Sequence, residues 1–464
     1  MLTYNFTNIG SDSLYEYLYK CIKNDILLGS IKAGEKLPSK RSFAKNLGIS
    51  VITVENAYEQ LIAEGYIYSI PKKGFYVTDF KQVIEIEKKT FVKEMVPLTG
   101  GENAYLADFT SNQTESELFP FTIWTRTIRE VLNENQMQLM INPPCGGVFF
   151  LREAIAKHLK EFRGMAVLPE QIIVGAGTEY LYGLLIQLLG NEKIYAVENP
   201  GYRKIGKIYQ SYKVLCKYID MDEEGVEISK LEENQVDIAH ISPSHHYPTG
   251  IVMPVSRRYE LLGWASKSEN RYIIEDDYDS EFRYQGKPIP AMQGLDDGEN
   301  VIYTGTFSKA IAPAIRVCYM VLPQKLVKQY QKIGRTFSCA VSRIDQKVLT
   351  MFLTEGHFER HLNRMRNIYK EKHDQLIISL KKLDSKIKIY GHGAGAHIIV
   401  SFPVNDPYKF QKELKQRGVM IYPLSWYYIE GKPSTEEYIL GFTRMKKEDM
   451  IRGIEIIREV LYSK

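Results

Sequence analysis

Short apolar runs recur through the larger, C-terminal part of the chain, each separated from the next by a stretch with helical spacing. They are Gln171-Ile172-Ile173-Val174, Lys193-Ile194-Tyr195-Ala196-Val197, Ile238-Ala239-His240-Ile241, Arg271-Tyr272-Ile273-Ile274 and Asn300-Val301-Ile302-Tyr303. Each reads as a buried strand. Strands alternating with helices at this spacing predict an α/β domain with a largely parallel central sheet. Folds of that class place their ligands beyond the carboxyl ends of the strands. The segments that follow the apolar runs are therefore where chemistry is expected.

Thr306-Phe307-Ser308-Lys309 follows the last run, with Pro313 and Arg316 just beyond. Two hydroxyls, an amine and a guanidinium suit an aldehyde cofactor that carries a phosphate. Lys309 forms the imine as the catalytic amine, and Thr306, Ser308 and Arg316 hold phosphate oxygens. A planar guanidinium donates to phosphate in pairs. Taken alone, the segment is equally a surface lysine in a Ser/Thr-rich loop.

The other strand ends complete the set. Ile274-Glu275-Asp276-Asp277-Tyr278-Asp279 offers a carboxylate to a pyridine nitrogen, assigned to Asp276, and a phenol to the ring oxygen, assigned to Tyr278. Asp277 and Asp279 better suit an acidic turn that caps a helix. Gly175-Ala176-Gly177-Thr178-Glu179 is a glycine turn opening a helix from Tyr180 to Leu189, where backbone N–H groups can meet a phosphate. Tyr202, in Glu198-Asn199-Pro200-Gly201-Tyr202, can stack on the cofactor ring or stand exposed in its loop. The histidines of Ser242-Pro243-Ser244-His245-His246-Tyr247-Pro248-Thr249-Gly250 more often serve as hydrogen-bonded core residues.

A differently built region precedes this one. Leu14, Tyr17, Leu18, Cys21, Ile22 and Ile26 fall at helical spacing. A short helix from Ser39 to Leu47, the turn Gly48-Ile49-Ser50 and a helix from Val51 to about Glu64 then form a helix-turn-helix pattern. Tyr66-Ile67-Tyr68-Ser69-Ile70 and Gly74-Phe75-Tyr76-Val77, around Pro71-Lys72-Lys73, read as a β wing. This places a first domain at 11–78, a charged linker at 79–105 and a second domain at 106–464.

Net charge is only +4, so affinity for nucleic acid must come from a local patch. The five cysteines are scattered and form no CxxC pair, which argues against a disulfide framework or a metal site. With neither a signal segment nor a run of about twenty apolar residues, a cytoplasmic protein with no membrane partner is expected.

Gly34-Glu35-Lys36-Leu37-Pro38-Ser39, Leu47-Gly48-Ile49-Ser50, Thr53-Val54, Ala57-Tyr58-Glu59-Gln60-Leu61 and Ala63-Glu64-Gly65-Tyr66 resemble the winged helix-turn-helix domain of the GntR superfamily. From about Asp108 onward, the order of glycine turn, Pro-Gly-Tyr, Pro-Thr-Gly, strand-end Asp and Ser-Lys with a trailing arginine resembles the fold-type I aminotransferase domain. The fusion is similar to the MocR subfamily of bacterial regulators, which includes GabR-like chains.

That resemblance implies pyridoxal 5′-phosphate (PLP) on Lys309, with Asp276 at the ring nitrogen and Tyr278 at the ring oxygen. Gly177, Thr178, Thr306 and Arg316 would hold the phosphate. It also implies a homodimer, domain-swapped so that the DNA domain of one chain packs on the other. Operator DNA would meet Ser50, Val51, Ile52, Thr53 and Asn56 from the second helix. Ser39, Lys40, Arg41, Lys72 and Lys73 would meet phosphates.

Two departures bear on the ligand. Where many relatives carry Arg-Asn after the turn serine, Val51-Ile52 can pack on thymine methyls but cannot pair with guanine. In Pro423-Leu424-Ser425-Trp426-Tyr427, Trp426 replaces the arginine that clamps a substrate carboxylate. Arg203, Arg335, Arg343 and Arg444 are the possible substitutes. The expected function is a PLP-dependent regulator that senses an amino compound or PLP itself. The alternative is a working aminotransferase with an appended DNA-binding domain.

Overall fold

The computed structural model of the 464-residue chain describes residues 2–6, 12–79, 105–110, 114–134, 136–284, 289–334, 337–391, 393–431 and 437–462. The chain divides into two compact units, Met1–Gly101 and Glu102–Lys464. Most of the expected linker, 80–104, lies outside the described residues.

The first unit comprises helices α1 (Leu14–Leu28), α2 (Lys40–Leu47) and α3 (Val51–Ala63) and a hairpin of β1 (Ile67–Ile70) and β2 (Gly74–Val77). Leu18, Ile22 and Ile26, four residues apart on α1, are buried against Phe43, Val54, Tyr58 and Leu61. Capping sets the helix starts. Ser39 Oγ accepts from Ser42 N at 3.2 Å, and Ser50 Oγ accepts from Thr53 N at 3.0 Å. Between them Gly48, at φ 68°, takes the left-handed conformation that lets the chain reverse after α2.

The second unit opens with β3 (Ala107–Asp108) and helices α4 (Phe121–Asn133), α5 (Gln136–Leu139) and α6 (Phe149–Arg163). Then come β4 (Ile172–Gly175), α7 (Thr178–Leu189), β5 (Ile194–Asn199), α8 (Arg203–Ser211), β6 (Leu215–Asp222), β7 (Gly225–Val226) and β8 (Ile238–Ile241). Strands β9 (Tyr272–Asp277), β10 (Val301–Thr306) and β11 (Cys318–Val321) complete an eight-stranded sheet in the order β4-β11-β10-β9-β8-β5-β6-β7.

Pairings from β10 through β9, β8 and β5 to β6 are parallel. The ladders β10–β11, β11–β4 and β6–β7 are antiparallel. Helix α7 packs Leu181, Leu185 and Leu189 on one face with Ile302 and Met320, while Leu261 and Trp264 cover Ile273 and Val301 on the other. A four-stranded antiparallel sheet follows, from β12 (Lys388–Tyr390), β13 (His397–Ser401), β15 (Tyr422–Pro423) and β16 (Glu437–Gly441); β14 (Val419–Met420) pairs with β3. Among the described residues no helix is long and apolar enough to cross a membrane.

Two boundaries differ from the apolar runs in a way that matters for the site. The parallel ladder continues to Thr304↔Asp276 and Gly305↔Asp277, so the acids end β9 itself instead of lying in the loop beyond it. Helix α7 starts at Thr178, not Tyr180, directly after Gly177.

Candidate functional site

Strand alternation sorts the three consecutive acids Glu275, Asp276 and Asp277 onto opposite faces of the sheet. Asp276 projects on the face of Ile274 and α7, where it accepts from Tyr182 Oη at 3.0 Å and Thr304 Oγ1 at 3.3 Å. Burial first, and the Asp276 charge second, raise the Tyr182 phenol well above its ordinary range and keep it a donor. His240 Nε2 lies 3.7 Å from Asp276 Oδ2, and the ring's Nδ1 meets Tyr209 Oη at 2.6 Å.

Glu275 and Asp277 face the other side. Glu275 accepts from the backbone N–H groups of Met292 and Gln293 at 3.0 and 2.9 Å. Asp277 pairs with Arg163 at 3.0 Å, both side chains about 2% exposed or less, and accepts from Tyr303 Oη at 2.5 Å. Asp277 therefore belongs to a buried ion pair, and the Ser280 N–H from which it accepts at 3.3 Å lies in a turn and not at the start of a helix. Asp279 is likewise buried and lies 2.9 Å from His245 Nδ1. Tyr278 Oη is 3.2 Å from the same nitrogen.

A cavity of about 580 Å³ opens beside Asp276. Its lining includes Lys309, Tyr278, Tyr202, Thr178, Thr306, Ser308 and Arg316, drawn from four separate segments of the chain. Lys309 sits on a short helical turn after β10, where Thr306 Oγ1 accepts from Ser308 N at 3.1 Å. Desolvation lowers the Lys309 amine to about 8, opposed by the negative charge of Asp279. Gly177 itself is not in the lining, yet it borders the site: at φ 102° it leaves room for the Arg316 guanidinium, and a Cβ there would collide with that group. Arg316 in turn holds φ 53°, uncommon for a residue with a side chain.

The lining also contains residues that sequence reasoning did not single out: Tyr182, His240, Glu198, Lys204, Asp108 and Tyr427. His240 had a readable signal, a polar residue inside the apolar run of β8. Tyr182 had none, since a tyrosine at helical spacing reads as core. Glu198 is buried, and desolvation pushes its carboxyl up to about 8 against the pull of the Ser242 N–H at 2.9 Å. His245 and His246 are buried and lie outside the lining, in hydrogen-bonding roles with Asp279 and Thr249. Tyr247 borders the cavity, its hydroxyl 2.6 Å from that of Tyr427.

Trp426 is 54% exposed, stacks on Tyr422 with ring centroids 4.4 Å apart and does not line the cavity. Of the arginines weighed as its substitutes, Arg203 donates to Trp426 O at 2.9 Å and Arg343 to Ile141 O and Asn142 O at 3.0 Å. Arg335 lies outside the described residues, and Arg444 lines the cavity.

In the first unit, Ser39, Arg41, Ser50, Val51, Ile52, Asn56, Lys72 and Lys73 are exposed. Thr53 is half-buried, its hydroxyl 2.8 Å from Ser50 Oγ. Lys40 is also half-buried; its ammonium meets Glu55 at 2.6 Å and lies 5.5 Å from the Phe75 ring centroid. Lys72 takes φ 62° at the tip of the wing.

Residues 14–77 match the family model for bacterial regulatory proteins of the gntR family, and residues 106–439 match aminotransferase class I and II. The chain is 36% identical over 454 residues to the uncharacterized HTH-type transcriptional regulator YdeL of Bacillus subtilis (strain 168), covering 96% of each chain. It is 28% identical to the probable rhizopine catabolism regulatory protein MocR of Rhizobium meliloti, over 96% of this chain and 93% of that one. Among solved structures, a kynurenine aminotransferase of Pyrococcus horikoshii superposes with a TM-score of 0.69 at 24% identity, covering 78% of this chain and 91% of that one.

Proposed function

Because the chain belongs to the MocR-type regulators, a gntR-family helix-turn-helix unit joined to a class I and II aminotransferase unit, we infer that it is a PLP-dependent transcriptional regulator. It binds operator DNA through the first unit and PLP through the second. The observation that carries this reading is the single cavity joining Lys309, Asp276, Thr178 and Arg316, in a chain that also presents an exposed recognition helix.

The residues fit the cofactor's chemistry. Gly177 and Arg316 make a cradle with no room for a side chain, as close approach to a phosphate requires. Thr178, Thr306 and Ser308 would add phosphate donors. Asp276 would face the ring nitrogen, Tyr278 the ring oxygen and Tyr202 the ring face, and Lys309 would hold the aldehyde carbon. PLP supplies an aldehyde that captures primary amines and a ring that withdraws electrons.

The protein's part is to prepare these contacts. With its pKa near 8, roughly a tenth of Lys309 is neutral at pH 7, far more than of an ordinary lysine. Tyr182 and Thr304, donating to Asp276 together, hold its side chain in one orientation. The effector is an amino compound that competes with Lys309, or PLP itself. Either changes transcription only by favouring one arrangement of the protein over another.

The proposed assembly is a homodimer with exchanged DNA units. The homodimer is supported by exposed Met137, Met140, Ile141, Phe149 and Phe150, apolar residues close in sequence that a second copy would cover. Titrating the full-length protein with PLP and candidate amines, while following absorbance and DNA affinity, tests the function. PLP should bind with a new absorbance band, and at least one ligand should change DNA affinity. If neither signal moves, the sensor reading fails. Steady transamination at roughly 1 per second or faster would favour the aminotransferase alternative, which uses the same Lys309 and Asp276.

A further inference from the structure

Charge along α3 is graded. Its first two turns present Val51, Ile52, Thr53, Glu55 and Asn56, and the one acid among them is matched by Lys40 at 2.6 Å. Acids gather toward the other end: Glu59 is exposed, and Glu64, just past the helix, is held by Lys23, Tyr19 and Gln60. The N-terminal half of this helix carries no unmatched acid, so a polyanion can approach it closely. Cationic Lys72 and Lys73 at the wing tip and Arg41 on α2 are exposed and complement its phosphates.

On that approachable face Ile52 is 67% exposed and Val51 41%. Their side chains contribute nothing to the core of this unit, which is built from Val54, Ala57, Tyr58 and Leu61 on the opposite face. Asn56 stands one turn after Ile52, also exposed, so the two share a stripe on the helix. The hydroxyls that could read a base are engaged locally: Ser50 Oγ caps Thr53 N and meets Thr53 Oγ1 at 2.8 Å. Two contact types are left, apolar surface and one carboxamide. In the major groove the thymine C5 methyl is the apolar mark, and an asparagine pairs bidentately with adenine N6 and N7.

We propose that Ile52 and Val51 read thymine methyl groups and that Asn56 reads an adenine beside them. The bases read by this helix then include a thymine–adenine step. This rests on the regulator reading above and adds the class of base that the helix selects.

The test starts from full-length protein and a random duplex pool, from which bound sequences are selected. Each thymine of the enriched site is then replaced by uracil, which removes only the methyl group. One lost methyl contact weakens binding roughly fourfold. The loss should occur at one or two positions in the unaltered protein, and at least one of those losses should disappear in Ile52→Ala. Asn56→Ala should lower discrimination at the neighbouring adenine by roughly fivefold or more. Ile62→Ala, an exposed apolar change near the far end of α3, should keep the full uracil penalty.

A site indifferent to uracil, or a penalty that persists at every position in Ile52→Ala, overturns the proposal while leaving the regulator reading intact. A pool that enriches no sequence overturns both.

Discussion

Thr304 stands directly opposite Asp276 in the parallel register of β9 and β10, and its hydroxyl donates to Asp276 at 3.3 Å while Tyr182 donates from α7 at 3.0 Å. Two donors from different elements thus fix one carboxylate before any cofactor arrives. A hydrogen bond of this kind contributes about 0.5–1.5 kcal/mol. Tyr182→Phe should therefore weaken PLP binding roughly two- to tenfold. A fluorescence titration that finds unchanged affinity would remove Tyr182 from the site's support.

The Lys309 amine, lowered to about 8, sets a pH signature. An unfolded chain carries this lysine at its ordinary value near 10.5 and holds its proton longer. Between about 8 and 10.5 the unfolded state therefore binds more protons. For this group the cofactor-free protein gains stability as pH rises through that window, and carries the full penalty of a buried charge below it. The rate of PLP attachment should rise with pH around a midpoint near 8, and Lys309→Ala should show no attachment. Stopped-flow absorbance would reveal a midpoint at 10 or above if the amine were ordinary.

Gly177 combines φ 102° and ψ 155° with contact against Arg316. Gly177→Ala adds backbone strain of about 1–3 kcal/mol and displaces the guanidinium. The variant should melt earlier and lose much of its preference for PLP over pyridoxal, which lacks the phosphate. An unchanged preference would place the phosphate elsewhere.

The Arg163–Asp277 pair lies on the other face, almost without solvent contact. Breaking such a pair by removing one charge costs about 3–5 kcal/mol. Arg163→Met should lower Tm markedly, and adding Asp277→Leu should recover part of the loss. Thermal melts of the two variants make the comparison.

Lys73, exposed beside the wing tip, should act on DNA through charge alone. Lys73→Ala should weaken binding to every sequence by a similar factor and reduce the salt slope by about 1. A change in sequence preference would instead give Lys73 a base contact.

The elements were largely legible because their signals are local. Ser39, Gly48 and Ser50 mark helix ends within a few residues, and five apolar runs announced strands β4, β5, β8, β9 and β10. Lys309, Asp276, Arg316 and Thr178 stood out because their chemistry at strand ends is unusual. Tyr182 and Tyr427 did not, since a tyrosine gives no sign of which pocket it will border. Lys40 was legible as a cation but not as a partner of Glu55, because that pair forms only when α2 and α3 pack. Trp426 was placed at the cavity by motif position, whereas the chain turns it outward onto Tyr422 and brings Tyr427 to the wall.

The division of Glu275, Asp276 and Asp277 between two faces makes this part of the chain sensitive to counting rather than to composition. Inserting or deleting one residue in Tyr272–Ile274 would leave every acid in place in the sequence and still turn Glu275 or Asp277 toward Tyr182 and Thr304. An insertion would bring Asp276 to Arg163, and a deletion would bring it to the backbone N–H groups of Met292 and Gln293. The protein would keep a carboxylate at its cofactor wall but lose the one its neighbours are built to hold, so length in β9 is under tighter constraint than the identity of its apolar residues.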